Sequence, residues 1–259
     1  AKVYEWAFRH SFAQIIRKRG YYVIRTQDDD YINSHLGIPT SQTPFISFGT
    51  DTYLFHPSVE VREKVRAAHG IGEDDFVVLY TGKLTEAKGG KLLAKAFMKP
   101  FDTNRKVVLV VVGTVPENDY GREVQSLLDQ AAVHVVMFPT QKYNNLAMFY
   151  QMADLSVFPK QCSMSFYDAQ ACGLPVVSEE NHVNVDRCSH GNGSNFKSGD
   201  VRSFRVEITK YANMEPDDFQ QQRRAAISMI MKGYDYERIA GEYTKYLETS
   251  LSIESKRNC

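Results

Sequence analysis

Phe158-Pro159-Lys160-Gln161-Cys162-Ser163-Met164-Ser165-Phe166-Tyr167-Asp168-Ala169-Gln170-Ala171-Cys172-Gly173-Leu174-Pro175-Val176-Val177 is the stretch whose pattern decides the fold. It closes one apolar run, crosses a short polar loop and enters a helical pattern with a single carboxylate, Asp168. It then stops at Gly-Leu-Pro and opens another apolar run. A strand, helix and strand in that order predict a ligand-facing turn of an α/β sheet, because loops leaving the carboxyl ends of parallel strands are where such sheets bind ligands.

Outward from this stretch the alternation continues. Apolar runs of strand length at 76–80, 107–112, 133–138, 155–158 and 175–177 are separated by helical patterns centred on Leu92–Phe97, Val124–Leu128, Leu146–Tyr150 and Phe166–Ala171. This βαβα order predicts a Rossmann-like, doubly wound parallel sheet whose strands are buried on both faces. Upstream, apolar residues at Val3, Ala7, Phe8, Phe12, Ile15 and Ile16 predict one amphipathic helix over 2–19 that Gly20 ends. Short strands are expected at Tyr21–Ile24 and Pro44–Phe48, with a carboxylate-led helix after Asp28-Asp29-Asp30 and a charged helix over Val59–His69. Downstream, about residues 200–250 predict successive trailing helices with turns at Glu215-Pro216 and Lys232-Gly233. The polar tail Ser252–Cys259 is expected to fray.

Composition narrows the function classes. The 259 residues are 43% hydrophobic, ordinary for a globular chain able to build a large core. Lys+Arg and Asp+Glu both total 31, so no global field recruits nucleic acid or an anionic membrane, and any anion site must be local. The four cysteines, Cys162, Cys172, Cys188 and Cys259, lack metal-type spacing, which with the absence of a signal peptide points to a reducing, cytoplasmic setting. No apolar run reaches the roughly 18 residues that span a bilayer.

Two segments carry candidate chemistry. The turn Thr81-Gly82-Lys83-Leu84-Thr85-Glu86-Ala87-Lys88-Gly89-Gly90 follows the strongest strand, and its glycines let backbone approach a ligand while two lysines reach one anion. It reads either as a diphosphate-holding loop or as a solvated turn with surface lysines, since it is not a P-loop pattern. In the opening stretch, amides at the helix start near Ser163–Ser165 offer a second anion contact. Asp168 one turn further in is either a ribose-diol acceptor or a solvated helix residue. The aspartates at 28–30 could hold a divalent cation, but their place ahead of a helix favours capping. The seven histidines form no H-x-x-x-H pair, which argues against zinc. Cys162 has no activating neighbour in sequence and reads as an inert thiol.

Taken together, these segments resemble the C-terminal donor-binding domain of the group 1 glycosyltransferases, retaining enzymes of the GT-B architecture. The resemblance spans roughly residues 20–250. Gly49-Thr50-Asp51-Thr52-Tyr53-Leu54-Phe55-His56-Pro57 resembles the family's interdomain G-V-D-x-x-x-F-x-P segment. Gly82-Lys83-Leu84 through Lys88-Gly89 is similar to its G-R-L-x-x-x-K-G loop, with lysine at the arginine position. Ala153-Asp154-Leu155-Ser156-Val157-Phe158-Pro159 resembles A-D-V-x-V-x-P, and Asp168 to Val177 resembles E-A-M-A-C-G-L-P-V-V. His190-Gly191-Asn192-Gly193 through Gly199-Asp200, and Tyr234-Asp235-Tyr236-Glu237-Arg238-Ile239-Ala240, resemble two further family segments.

The resemblance implies three parts: residues 1–48 as a remnant of an N-terminal domain and hinge, 49–233 as a nucleotide-sugar-binding Rossmann-like domain, and 234–259 as a C-terminal helix and tail. It implies a nucleoside-diphosphate sugar whose diphosphate lies on Lys83 and Lys88, which stabilise the departing nucleotide without a metal or other cofactor. Gly82 would border the diphosphate, Asp168 would take the ribose, and Phe138, Pro139 and Thr140 the base. Main-chain amides around Ser163, Met164 and Ser165 would meet sugar and phosphate. The acceptor, a glycan or lipid-linked sugar, and any attachment to a membrane surface would belong to a missing N-terminal half, so the chain is expected to be a fragment that binds donor and transfers nothing. Counting back from Asp168 to the family's earlier sugar-binding glutamate lands on Lys160, in a loop about three residues shorter than usual. A lysine cannot accept hydrogen bonds from a hydroxyl; Ser163 or Ser165 could substitute, and a degenerate, non-catalytic scaffold or nucleotide-binding module is the competing expectation. An unrelated flavodoxin-like binder is the third.

Overall fold

The computed structural model describes residues 2–26 and 29–255, so Asp28 and Cys259 lie outside the described residues. The chain divides into two compact units, Ala1–Gly49 with Gly233–Cys259, and Thr50–Lys232.

In the first unit two helices, α1 (Lys2–His10) and α2 (Phe12–Arg19), replace the single helix expected over 2–19. Ser11 makes the break. Its φ of −125° and ψ of −88° leave the helical region, and its hydroxyl donates to the Ala7 carbonyl at 2.7 Å, a local bond that competes with helix continuation. The apolar stripe does not face a core within this unit: Val3, Phe12 and Ile15 are exposed, and Ala13 is the one buried residue of the two helices among those described. The strands expected at Tyr21–Ile24 and Pro44–Phe48 reduce to one parallel bridge between Arg25 and Phe45. Pro44 accepts from Arg25 N but has no N–H with which to extend the ladder. The one-turn helix α3 (Tyr31–Ser34) follows, with Asp29 Oδ1 accepting from Tyr31 N at 3.1 Å while Asp30 makes no side-chain cap bond.

The second unit is the sheet. Its elements in order are α4 (Val59–Ala68), β1 (Phe76–Thr81), α5 (Gly90–Ala96), β2 (Val107–Val112), α6 (Asp119–Asp129), β3 (His134–Phe138), α7 (Ala147–Met152), β4 (Leu155–Phe158), α8 (Ser165–Ala171), β5 (Val176–Glu179), α9 (His182–Arg187), β6 (Gly193–Phe196), α10 (Val201–Ala212) and α11 (Pro216–Gly233). All neighbouring strands are parallel, in the order β3-β2-β1-β4-β5-β6. Three features differ from the expectation. Helix α9 and strand β6 were not anticipated, because Gly193-Ser194-Asn195-Phe196 holds a single apolar residue and is drawn into extended form by pairing with β5. Strand β3 is only part-buried, since as an edge strand it is covered on fewer sides. The chain also stays helical beyond Ser252: α12 (Tyr236–Ser255), which belongs to the first unit, continues to Ser255, and residues 256–259 lie outside the described ones.

The core joins Val78, Leu109, Val111, Leu155 and Val157 of the central strands to Phe97 of α5 and Phe204 and Ile208 of α10. At the amino ends of the strands an ionic staple holds α4 to the sheet. Arg62 Nη2 and Arg66 Nη2 donate to the two oxygens of Asp154 at 2.6 and 2.7 Å, and Val77 N donates to Oδ2 at 2.8 Å. Arg66 also donates to the carbonyls of Met152, Gly72, Glu73 and Asp75. Arg66 is 3% exposed and Asp154 2%, so the pair sits in a dry site, where these hydrogen bonds offset the cost of burying its charges.

Candidate functional site

The strand order reverses between β1 and β4, the switch point at which doubly wound sheets open a crevice. These two strands pair at Val78 with Leu155 and Leu79 with Ser156; toward their carboxyl ends they part, and the loops 82–89 and 159–164 occupy the opening.

The first loop is shaped by backbone crowding. Gly82 N donates to Val112 O at 2.9 Å, Leu84 N to Thr114 O at 2.9 Å and Gly113 N to Phe138 O at 2.9 Å, so the ends of three strands interlock. A Cβ on Gly113 would lie 1.9 Å from Gly82 O, and Gly82 itself sits at φ 138°; neither position admits a side chain. The Tyr80 hydroxyl donates to Lys83 O at 2.9 Å, holding the loop from below, and burial raises its pKa far above the ordinary phenol value. Lys83 is exposed and Lys88 half-buried.

The second loop meets the first at Gly89. In the left-handed region at φ 76°, Gly89 brings its Cα so close that an added Cβ would lie 3.0 Å from the Cβ atoms of both Pro159 and Lys160. Lys160 therefore stands beside the Lys88–Gly89 turn. None of Lys83, Lys88 and Lys160 has an ion-pair partner among the described residues. Gln161 adopts φ 65°, the one positive φ of a described non-glycine residue, at the point where this short loop turns. Arg187 of α9 anchors the loop, donating to Ser163 O at 3.0 Å while its guanidinium lies 5.3 and 4.9 Å from the ring centres of Phe166 and Tyr167. Cys162 is exposed, with its Sγ 3.4 Å from Asn181 Oδ1.

The remaining expected site residues lie at the start of α8 and at the end of β3. At the start of α8, Ser165 N donates to Ser163 Oγ at 3.3 Å and Tyr167 N to Met164 O at 3.0 Å. Met164 is the residue there that reaches solvent, at 45% exposure. Asp168 is not a solvated helix residue; it is 6% exposed, its Oδ1 accepts from the Thr50 hydroxyl at 2.6 Å, and the Tyr143 hydroxyl bonds to it as well. Burial pushes its pKa up to about 6 against the opposing pull of those two bonds. The Phe138 ring packs edge-on against His69 and Phe149, with centroids 4.8 and 4.7 Å away, while Pro139 and Thr140 are exposed. Thr50, Tyr143 and Arg187 were missed by sequence reasoning. Thr50 lay inside the segment resembling the interdomain motif, but nothing local in that segment points to a partner in α8.

The family model described as "Glycosyl transferases group 1" matches residues 61–228. The chain belongs to this family. Among curated relatives, the lipopolysaccharide 1,2-N-acetylglucosaminetransferase of Salmonella typhimurium is 27% identical over 78% of this chain and 54% of its own length. The D-inositol 3-phosphate glycosyltransferase of Segniliparus rotundus is 27% identical over 64% of this chain and 38% of its own. The chain spans about half the length of the curated relatives it matches. In fold it is similar to HepE of Anabaena, solved with UDP-glucose, at TM-score 0.75 and 20% identity over 88% of this chain and 64% of that one.

Proposed function

We propose that this group 1 glycosyltransferase chain binds a nucleoside-diphosphate sugar between the loops that follow β1 and β4, as the donor-binding half of a retaining enzyme whose acceptor is a glycan or lipid-linked sugar. The observation that carries this reading is the seating of the Lys83–Lys88 loop on Lys160 where the strand order reverses, with three lysines left without ion-pair partners among the described residues. Ammonium groups on flexible stems suit the several oxygens of a diphosphate. As the sugar C1–O bond breaks, its electron pair passes to the departing phosphate oxygen, and Lys83 and Lys88 stabilise that charge without a metal. The UDP-glucose held by the Anabaena protein of like fold supports a nucleotide sugar as the ligand class.

The base contact falls to Pro139, Thr140 and nearby main chain, because the Phe138 ring is engaged with His69 and Phe149. A ribose could reach Asp168 by displacing Tyr143, which is 41% exposed, more readily than the buried Thr50. The occupied Asp168 and the cation at Lys160 favour one second reading, a non-catalytic nucleotide-binding module. A full-length relative with lysine at the Lys160 position that turns over sugar nucleotide would rule that out.

Isothermal titration with UDP-glucose and GDP-mannose tests the donor site. Saturable binding that weakens about tenfold in Lys88→Ala is expected, the worth of one charge-assisted contact. No heat with any nucleotide, or an unchanged Lys88→Ala, overturns it.

A further inference from the structure

A cavity of about 640 Å³ opens between α4 and α11, lined in part by Arg62, Arg66, Arg223 and Arg224. It lies toward the amino ends of the strands, since Arg62 and Arg66 bond there to residues that immediately precede β1 and β4. The lysine loops are at the opposite, carboxyl ends. Its volume falls within the range of small-molecule sites, about 300–1,000 Å³.

The four arginines are not equivalent. Arg62 and Arg66 donate to carbonyls and to both oxygens of Asp154. Arg223, reaching the cavity from the middle of α11, makes no hydrogen bond or ion pair among the described residues. It is nevertheless half-buried, and its pKa is lowered by that burial first and by the nearby Arg62 second, against a smaller opposing pull from Asp154. A guanidinium that is partly desolvated, crowded by like charge and unmet by any acceptor is costly unless an anion completes it. Glu63 and Glu73 also line the cavity without pairing to it. Val59, Ile71 and Ile227 give the cavity part of an apolar lining.

We propose that this cavity is a second binding site, for a phosphate group carried on a small apolar body, with Arg223 as the residue that grips the oxyanion. A planar guanidinium offers paired donors to two phosphate oxygens, and the apolar walls take the attached chain. The shared chemistry covers a soluble phosphomonoester and a lipid phosphate headgroup.

The test uses the 259-residue chain with three probes: inorganic phosphate, hexyl phosphate, and phosphatidylcholine vesicles with and without phosphatidic acid. Hexyl phosphate is expected to bind saturably and more tightly than inorganic phosphate, and Arg223→Gln to weaken it at least about tenfold. Because Arg223 has no hydrogen-bond partner to lose and its charge is costly where it stands, the variant should melt no lower than the wild type. Arg223-dependent binding of hexyl phosphate alone assigns the site to a soluble ligand. Arg223-dependent retention on phosphatidate vesicles, with or without hexyl phosphate binding, assigns it to a membrane headgroup. No saturable binding of either probe, or binding unchanged in Arg223→Gln, overturns the proposal. This readout does not depend on nucleotide binding at the lysine loops.

Discussion

The Thr50 hydroxyl donates to Asp168 Oδ1 across 2.6 Å, joining residues 118 positions apart in a buried contact. Thr50 is fully buried and Asp168 nearly so. The bond fixes α8 behind the loop that carries Lys160, and it places the carboxyl in surroundings where its charge is expensive.

That expense is measurable as a pH dependence. The folded pKa is raised from 3.8 to about 6, chiefly by burial. A raised carboxyl contributes stability that is fully present below its unfolded value, near pH 4, and is lost as pH rises through about 6. Asp168→Asn keeps an acceptor for Thr50 and is neutral throughout. It is expected to exceed the wild type in stability near pH 7.5 by roughly 1–3 kcal/mol, with the gap closing toward pH 4. Urea unfolding at both pH values checks this; a gap of the same size at both would exclude a buried titration.

The staple at the other end of the strands should be more sensitive. Asp154→Ala leaves the guanidiniums of Arg62 and Arg66 facing each other without their carboxylate. A loss of about 3–5 kcal/mol is expected in denaturant titration. A loss below about 1 kcal/mol would mean that water replaces the ion pair.

Backbone contact predicts two glycine variants with opposite consequences. Gly113→Ala would push against Gly82 O at 1.9 Å and so displace the lysine loop; UDP affinity should fall more than about tenfold as the loop shifts. Gly70→Ala has open space around it and bears only the strain of φ 65°, about 1 kcal/mol, with nucleotide binding intact. Titration of both with UDP separates the two effects.

Thiol chemistry reports on the second loop. Cys172 and Cys188 are buried and raised by that burial, Cys188 to about 11, whereas Cys162 is exposed. Iodoacetamide near pH 8 should label Cys162 in the folded chain and reach Cys172 and Cys188 only in denaturant. Added UDP-glucose should slow the labelling of Cys162, which mass spectrometry of the peptide would show. Equal rates with and without nucleotide would place the ligand elsewhere.

Most of the sheet was legible because buried parallel strands write themselves as unbroken apolar runs: 107–112 and 155–158 coincide with β2 and β4. Strand β6 was not, because Gly193-Ser194-Asn195-Phe196 takes its extended form from the neighbour it pairs with. Nor were the two N-terminal strands correctly expected; local β-forming residues at Tyr21–Ile24 found a partner segment that Pro44 interrupts. The glycine and lysine positions of the loop after β1 were visible as turn chemistry, and the structure sets them beside Lys160.

By itself the sequence determined the alternation of strands and helices, the family and the lysines available to an anion, since each rests on local periodicity or on motifs of contiguous residues. Tertiary structure alone decided that Asp168 is buried against Thr50 and Tyr143, that Lys160 sits at Gly89, and that Arg223 enters a cavity unpartnered. Those depend on which distant segments the fold presses together, and burial, not residue type, sets the cost and so the behaviour of a charge.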